Sequence, residues 1–179
     1  EKFDEKFQVS VNMSPIQFRL EDDAFSNERL RCLKNYSLHG NHMVVEITEG
    51  LLLNAEPDVI NKLLWLRDAG IQVAIDDFGT GYSSLSYLKK FHIDYLKIDR
   101  SFTRNLVMGS NDLALSEAII VMAHTLGLNV IAEGVETKAQ EKLLAQAGCD
   151  YAQGFLYSEP VPAEQFEQLL KNGKEKHMI

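Results

Sequence analysis

The sequence predicts an α/β fold in which parallel β-strands alternate with α-helices. Two observations support this prediction: short apolar runs rich in Val and Ile recur along the chain, and a helical pattern follows most of them. A third observation is that polar side chains capable of chemistry stand at the end of each run. Strict alternation implies parallel strands joined by right-handed crossovers, and the pattern supplies about six such units.

Each element follows from local sequence. Strands are expected at 8–12, 43–49, 71–77, 95–99, 128–132 and 151–156. Helices are expected from Asp22 or Asp23, over 57–70, over 85–91, from Asp112 to Gly127, from Thr137 to Ala147 and from Pro162. Ser14-Pro15 ends the first strand, and Thr137 with Gln140 forms a capping box. Helical spacing predicts core-facing positions at Val59, Ile60, Leu63, Leu64 and Leu66 and at Leu115, Ile119, Met122 and Leu126.

Composition indicates one globular domain with a substantial core. The chain has 179 residues, of which 45% are hydrophobic and 25% charged. We expect the domain to occupy residues 1–172 and a polar tail to occupy 173–179. The net charge of −8 argues against a general binder of nucleic acids or anionic membranes. It leaves open a small phosphorylated ligand whose charge is met by metal ions.

Cysteine usage indicates a reducing compartment, the cytoplasm. Cys32 and Cys149 are too few for a disulfide framework and show no zinc spacing. No apolar run is long enough to span a bilayer and no signal peptide is present, so we expect no membrane contact by this domain. The chain begins Glu-Lys-Phe rather than with Met, so we expect a piece of a longer parent protein, and we leave membrane anchoring of that parent open.

The polar residues at the strand ends favour a barrel over a doubly wound sheet. They are Asn12, Glu46 and Glu49, Asp76 and Asp77, Lys97 and Asp99, Glu133 and Glu136, and Gln153. In a barrel all strand ends converge on one mouth, whereas in an open sheet only those at the switch point converge. We therefore predict a (β/α)8 TIM-like barrel, here incomplete, with about two of the eight strands missing.

Two adjacent acids, Asp76 and Asp77, follow the β-branched run of the third predicted strand, Val73 to Ile75. Paired carboxylates at a buried strand end repel each other, and a hard divalent cation such as Mg²⁺ or Mn²⁺ relieves the repulsion. The alternative is an Asp-Asp pair in a solvated turn that caps the next helix. Since the other strands end in similar residues, the metal interpretation is favoured.

The polar residues at the strand ends offer more ligands than one Mg²⁺ ion binds in proteins. Asn12 offers an amide oxygen, and carboxylates come from Glu46, Asp76, Asp77 and Glu133. This set suits two ions about 3.5–4 Å apart that activate water and clamp a phosphoryl oxygen. Lys97 is then placed to orient the attacking water or to neutralise charge on the phosphate. The sequence thus predicts metal-assisted hydrolysis of a phosphodiester or phosphomonoester.

Each residue also has a purely structural interpretation. Asn12 can be a turn former, Glu49 an N-cap or loop latch, and Lys97 an ion-pair partner of Asp99. The acids of 133–137 can simply favour a helix N-terminus. Six capping acids on six consecutive strands are a weaker explanation than one site. The five histidines do not stand at strand ends and are interpreted as surface or packing residues.

Six segments together resemble the successive signatures of the EAL-domain family. They are 11–18 (VNMSPIQF), 46–49 (EITE), 76–85 (DDFGTGYSSL), 95–102 (YLKIDRSF), 133–137 (EGVET) and 153–156 (QGFL). The resemblance implies a bacterial phosphodiesterase that hydrolyses cyclic di-GMP to linear pGpG with two Mg²⁺ or Mn²⁺ ions.

The resemblance also assigns metal-site roles by position. It implies that Asn12 and Glu46 hold the first metal, that Asp76 bridges both metals, and that Asp77 and Glu133 hold the second. It assigns the catalytic water to Lys97.

Further roles concern the loop and the substrate. Glu49 would anchor the loop of residues 78–84, which the family links to dimerisation. Gln153 would lie in the active site with Glu136 supporting it, and Phe155 and Pro160 lie where the family contacts guanine. The implied partners are cyclic di-GMP, a second copy bound through the loop from Asp77 to Leu88 and the helix after Asp99, and an upstream sensory or GGDEF domain.

The chain departs from the family because it contains no Glu-Ala-Leu sequence. A first-metal glutamate, a ligand-binding arginine and two strands are therefore expected to be missing. We expect an active parent enzyme and an inactive isolated chain, swollen or repaired by pairing with a second chain. A cyclic di-GMP receptor and a regulatory dimerisation module are the alternatives.

Overall fold

The computed structural model describes residues 7–19, 31–53, 57–81, 88 and 91–173. Its strands are β1 (Val9–Asn12), β2 (Met43–Thr48), β3 (Gln72–Phe78), β4 (Tyr95–Ile98), β5 (Asn129–Ala132) and β6 (Tyr151–Ala152). Its helices are α1 (Pro15–Arg19), α2 (Glu49–Leu53), α3 (Pro57–Asp68), α4 (Arg100–Thr103), α5 (Asn111–Thr125), α6 (Lys138–Gln146) and α7 (Ala163–Gly173). Residues 31–35 are also helical, and Gly40–His42 forms a 3₁₀ turn.

All six strands are parallel and lie side by side in chain order, from β1 to β6. The sheet is curled into a partial barrel with helices around it, which confirms the predicted fold class. Since the strands are parallel, their carboxyl ends share one edge of the sheet. The pairing of Asn12 with Glu46 places the ends of β1 and β2 at the same level.

The two faces of the sheet have different contents, as the alternation of side chains along a strand requires. Val45, Val73 and Leu96 belong to the large apolar core between the sheet and the helices. The opposite, concave face holds a small cluster that includes Val44 and Ala74. Moving two residues along β2 from Val44, or along β3 from Ala74, brings Glu46 and Asp76 onto this concave face. The concave face is therefore apolar in its middle and charged at its carboxyl end.

Several local predictions are confirmed and several are wrong. Thr137 and Gln140 form the predicted capping box. β6 is only two residues long instead of the predicted six, because the chain turns at Gly154. Leu64 and Leu115 were predicted to face the core but are exposed. The sequence analysis did not predict α1, α2 or α4, and Glu49, predicted to end a strand, begins α2.

Two predicted helices cannot be compared with the structure. The helix from Asp22 or Asp23 lies outside the described residues, and so does most of the segment 85–91, of which Leu88 is helical and Phe91 is not. Within the described ranges, no helix combines the length and the apolar character needed to cross a membrane.

The turn after β6 depends on a close approach between two backbones. Val135 donates its N–H to the Gln153 carbonyl at 3.0 Å, and Leu156 donates to the Val135 carbonyl at 3.0 Å. A Cβ atom at Gly154 would overlap with the backbone N and O of Val135. Only glycine therefore lets the turn that carries Gln153 sit on the loop that follows β5.

We predict that Gly154→Ala destabilises the chain by about 3 kcal/mol, the upper end of the usual cost of overpacking. Gly50→Ala is the matched control, because nothing lies within 4 Å of a Cβ there and the residue is helical. The control should gain about 0.5–1 kcal/mol. Urea unfolding measures both changes, and equal stability of the two variants would contradict the close-packing account.

Candidate active site

Lys97 is the centre of the charged end of the concave face. Its Nζ lies 2.6 Å from Glu46 Oε2, 2.9 Å from Asp76 Oδ1 and 2.7 Å from Glu133 Oε1. The residue is 2% exposed and Glu46 is also buried. One ammonium group thus uses its three N–H donors on three different carboxylates. The predicted alternative, an ion pair with Asp99, is wrong: the Asp99 carboxylate accepts from the Ser101 N–H at 3.0 Å and caps α4.

Consecutive strands carry Lys97 and its three carboxylate partners, so these side chains meet at the carboxyl edge of the sheet. Glu46 lies on β2, Asp76 on β3 and Lys97 on β4, and Glu133 follows β5 directly. The Glu133 N–H donates to the Ile98 carbonyl at 3.1 Å, so the residue continues the pairing of β5 with β4. This convergence is what the sequence predicted from the strand ends.

Asp77 reaches the same site through an irregularity in β3. Consecutive residues of a regular strand point to opposite faces, so Asp76 and Asp77 would be separated. The pairing of β3 with β4 shifts between Ile75 and Phe78, and Asp77 adopts a left-handed backbone with φ of 57°. The Asp77 N–H also donates to Asp76 Oδ1 at 3.1 Å. The bulge turns both acids toward the mouth of the sheet.

Three of these carboxylates are close enough to share a cation. One ligand oxygen from each of Asp76, Asp77 and Glu133 lies within 4.8 Å of the other two. Hard divalent cations such as Mg²⁺ and Mn²⁺ prefer carboxylate oxygens, so the donor set fits such an ion. Glu46 is joined to this group through Lys97, and Asn12 pairs in register with Glu46.

Burial raises the pKa of the Glu133 carboxyl above its ordinary value, with Asp76 and Glu46 adding to the effect and Lys97 opposing it. The pKa of Asp77 is also raised, first by burial and then by the charge of Asp76. Burial lowers the pKa of Lys97, but its hydrogen bonds to Glu133, Glu46 and Asp76 outweigh this and raise the pKa overall. Lys97 therefore stays protonated at neutral pH, and the carboxylates repel one another.

Glu49 lies beside the loop that follows β3. It begins α2, is buried, and its Oε2 would be 3.8 Å from a Cβ atom at Gly81. At the other side of this loop, a Cβ at Gly79 would touch the Phe102 ring at 3.0 Å and Ile119 at 3.6 Å. The described part of the loop therefore runs between Glu49 and helices α4 and α5.

An open groove of about 590 Å³ lies at the end of β6. Gln153, Phe155 and Pro160 line it together with Tyr157. Glu136, the predicted support of Gln153, is exposed, and no hydrogen bond joins the two residues in the described structure. The structure thus brings three of the four predicted substrate residues together and leaves Glu136 apart.

Sequence reasoning missed Thr103 and did not foresee that Gln140 would join it. Both are buried below the loop that carries Glu133. The capping pattern signalled Gln140, whereas nothing in the local sequence marks Thr103.

The curled parallel sheet thus places four carboxylates and a buried lysine together at its carboxyl edge, a donor set that fits a divalent cation. A comparison with protein-family models identifies the family. The model described as "EAL domain" matches residues 1–160, so the chain belongs to the EAL domain family.

Two relatives illustrate the membership. Signaling protein YkoW of Bacillus subtilis is 44% identical over 162 residues, which are 90% of this chain and 20% of that protein. The bifunctional diguanylate cyclase/cyclic di-GMP phosphodiesterase MucR of Pseudomonas aeruginosa is 42% identical over 161 residues, 89% of this chain and 23% of that protein. This chain therefore spans about a fifth of the length of these curated relatives.

Solved structures share the fold. The MucR phosphodiesterase in complex with c-di-GMP matches with a TM-score of 0.81 and 40% identity, covering 89% of this chain and 64% of that one. BlrP1 of Klebsiella pneumoniae, in a manganese and cyclic di-GMP complex, matches with a TM-score of 0.79 and 33% identity, covering 87% and 39%.

We predict that Asp77→Asn stabilises the metal-free chain at pH 7. Because the folded state raises the pKa of Asp77, the ionised carboxylate costs stability above that pKa, and a neutral amide removes the cost. The gain should fade as the pH falls through the raised pKa of the folded state, and it should be gone at pH values below about 4, where the carboxyl becomes protonated in both states. Asn tolerates the left-handed backbone, so the substitution adds no strain.

Thermal unfolding with and without Mn²⁺ measures this effect. Added Mn²⁺ should raise the unfolding midpoint of the unchanged chain more than that of the variant, because the variant has lost a charged ligand. Glu117→Gln removes one exposed negative charge from α5. It should change neither the unfolding midpoint of the metal-free chain nor the rise of that midpoint with Mn²⁺. An equal rise in all three proteins would contradict a metal role for Asp77.

Proposed function

We propose that this chain carries the metal site and part of the substrate site of a cyclic di-GMP phosphodiesterase that yields linear pGpG. The observation that carries the proposal is the cluster of Asp76, Asp77 and Glu133 oxygens within 4.8 Å, next to Lys97. The names of MucR and the cyclic di-GMP complexes of related structures support this substrate class.

Asp76, Asp77 and Glu133 would hold a divalent cation, Mg²⁺ or Mn²⁺, and Glu46 and Asn12 would serve a second ion beside Asp76. Such ions, when bound, lower the pKa of water and stabilise charge on phosphoryl oxygens. The Lys97 ammonium is protonated and hydrogen-bonded, so it acts as a fixed cation and donor and not as a base. It holds the three carboxylates in place, and an N–H that a bound cation displaced from its carboxylate would be free to hold a water against a phosphate.

The groove at the end of β6 would receive one end of the substrate. Phe155 and Pro160 offer apolar surfaces against which a guanine ring can stack, and Gln153 offers an amide that can donate and accept. Phe155 is exposed, so its ring is available to such a ligand. The groove and the carboxylates are adjacent because Val135 N–H binds the Gln153 carbonyl, two residues after Glu133.

A cyclic di-GMP receptor is the second candidate. The observation that favours it is that, among the described residues, the converging oxygens of Asp76, Asp77 and Glu133 fit one ion, whereas Glu46 is held by Lys97. A chain with the groove and a partial metal set would bind the nucleotide without cleaving it.

Turnover of cyclic di-GMP with Mg²⁺ and with Mn²⁺ separates these functions. The enzyme proposal predicts pGpG from the parent protein that contains this chain, whereas the isolated chain is expected to be inactive. It also predicts a loss of at least about a hundredfold in the Asp76→Asn variant of the parent, because that carboxylate contacts Lys97 and would contact the proposed ions. Glu117→Gln is the control and should keep full activity. Binding of the nucleotide without pGpG would instead establish the receptor.

We further propose that two copies associate through the loop after β3 and helix α5. Val121 is 64% exposed on α5, and Leu115 on the same helix is exposed as well. Gly79 packs on Ile119, so this helix contacts the loop that begins at Asp77. Residues 82–87 of the loop lie outside the described residues.

Val121→Glu should shift the chain from dimer to monomer, because a charge would then lie in an apolar interface. Tyr36→Glu, at a residue that is 74% exposed elsewhere in the chain, is the control and should leave the dimer intact. Sedimentation velocity measures both. A dimer that survives Val121→Glu, or is also lost in the control, would contradict this interface.

A further inference from the structure

Two buried polar side chains outside the carboxylate cluster hold the loop that carries Glu133. Thr103 is fully buried at the end of α4, and Gln140 is buried on α6. The chain joins these two elements only through long segments, yet both residues contact the loop 133–137. They are buried polar groups that the proposed chemistry does not itself use.

Thr103 fixes the backbone of Glu133. Its hydroxyl donates to the Glu133 carbonyl oxygen, while the Arg100 carbonyl lies 3.1 Å away as a second acceptor. The Glu133 N–H already donates to the Ile98 carbonyl at 3.1 Å. Both backbone polar groups of Glu133 are therefore bound by the segment formed by β4 and α4.

Gln140 fixes the remainder of the same loop. Its Oε1 accepts from the N–H groups of Glu136 at 2.9 Å and Thr137 at 2.8 Å. Its Nε2 donates to the Thr103 carbonyl at 2.9 Å. The loop is thus tied at both ends to Thr103, once directly and once through Gln140.

The loop also lies directly on α4. Gly134 adopts φ of 66°, and a Cβ atom there would come within 2.7 Å of Arg100 Cβ and 3.2 Å of Thr103 Oγ1. A small shift of α4 is therefore transmitted to residue 134 and to its neighbour Glu133.

We propose that Thr103 is a positioning residue for the metal site: its hydroxyl, supported by Gln140, holds Glu133 where its carboxylate meets Lys97, Asp76 and Asp77. The inference rests on the proposed function, because it assumes that Glu133 binds the cation. Partners that orient a metal ligand commonly contribute a factor of about 10–100 to metal affinity. Thr103 acts through one peptide unit, so we expect a factor of about 10.

The test is Mn²⁺ affinity of the full chain, measured by the electron paramagnetic resonance signal of free Mn²⁺. Thr103→Val keeps the shape of the side chain but removes the hydroxyl and should weaken binding about tenfold. Thr103→Ser keeps the hydroxyl and should restore affinity. Ser116→Ala is the matched control, because its buried hydroxyl has no hydrogen-bond partner within the described structure; its affinity should not change.

A double-mutant cycle separates positioning from general stability. In a Glu133→Ala background, Thr103→Val should cause no further loss of Mn²⁺ affinity, because the group it positions is gone. An equal loss in both backgrounds, or no loss in either, would overturn the inference. If Thr103→Val does not fold, as judged by its thermal unfolding, Gln140→Met takes its place in the same cycle, since it removes the donor to the Thr103 carbonyl.

The proposed function fails in a different way. If Glu133→Ala alone leaves Mn²⁺ affinity unchanged, or if the unchanged chain binds no Mn²⁺, the metal assignment is wrong and the inference falls with it. If Glu133→Ala weakens binding but Thr103→Val does not, only the positioning role of Thr103 is overturned.

Discussion

A buried ammonium group surrounded by three carboxylates is the interaction on which the rest of this structure depends. Lys97 meets Glu46, Asp76 and Glu133, which come from three other parts of the sheet. A buried charge is costly unless it is paired and hydrogen-bonded, so the strands must keep the register that brings these groups together. The three carboxylates and one ammonium group leave an excess of negative charge at this site, and this excess favours the binding of cations. The same arrangement therefore explains both the order of the strands and the proposed chemistry.

The apolar content of the sheet follows from the burial of its central strands. Side chains such as Val45 and Leu96 face the helices, and their neighbours face the concave side, so β2, β3 and β4 are largely buried on both faces. The edge strands β1 and β6 are more exposed. On the concave face, Lys97 and the carboxylates around it lie at the carboxyl edge. The bulge at Asp77 is the one place where the alternation of β3 is broken, and it doubles the number of acids that this strand contributes. Irregular backbone thus occurs where the site needs a second ligand from the same strand.

The sequence predicted the strands, their parallel order and the convergence of Glu46, Asp76, Lys97 and Glu133, because apolar runs and the residues that end them are local signals. It did not predict the orientation of α5. That helix is apolar on nearly all sides, so the spacing of Leu115 and Ile119 could not reveal which side is buried. The structural alternative for Lys97, an ion pair with Asp99, is wrong, since Asp99 is near in sequence but caps α4. Long-range pairing and the role of Thr103 depend on how distant segments pack together. A local sequence pattern carries no information on that packing.

The separation of the charged residues along the chain has a consequence for folding. Glu46 and Lys97 are 51 positions apart, and each strand pair is closed by a crossover, so the site cannot form from any short segment. Parallel sheets with such distant pairings fold slowly, because loop-closure entropy is lost before the contacts form. A cation that binds only the finished arrangement of carboxylates would favour the complete sheet over partly assembled ones. The availability of divalent ions during synthesis would then influence the yield of correctly folded chains as well as their chemistry.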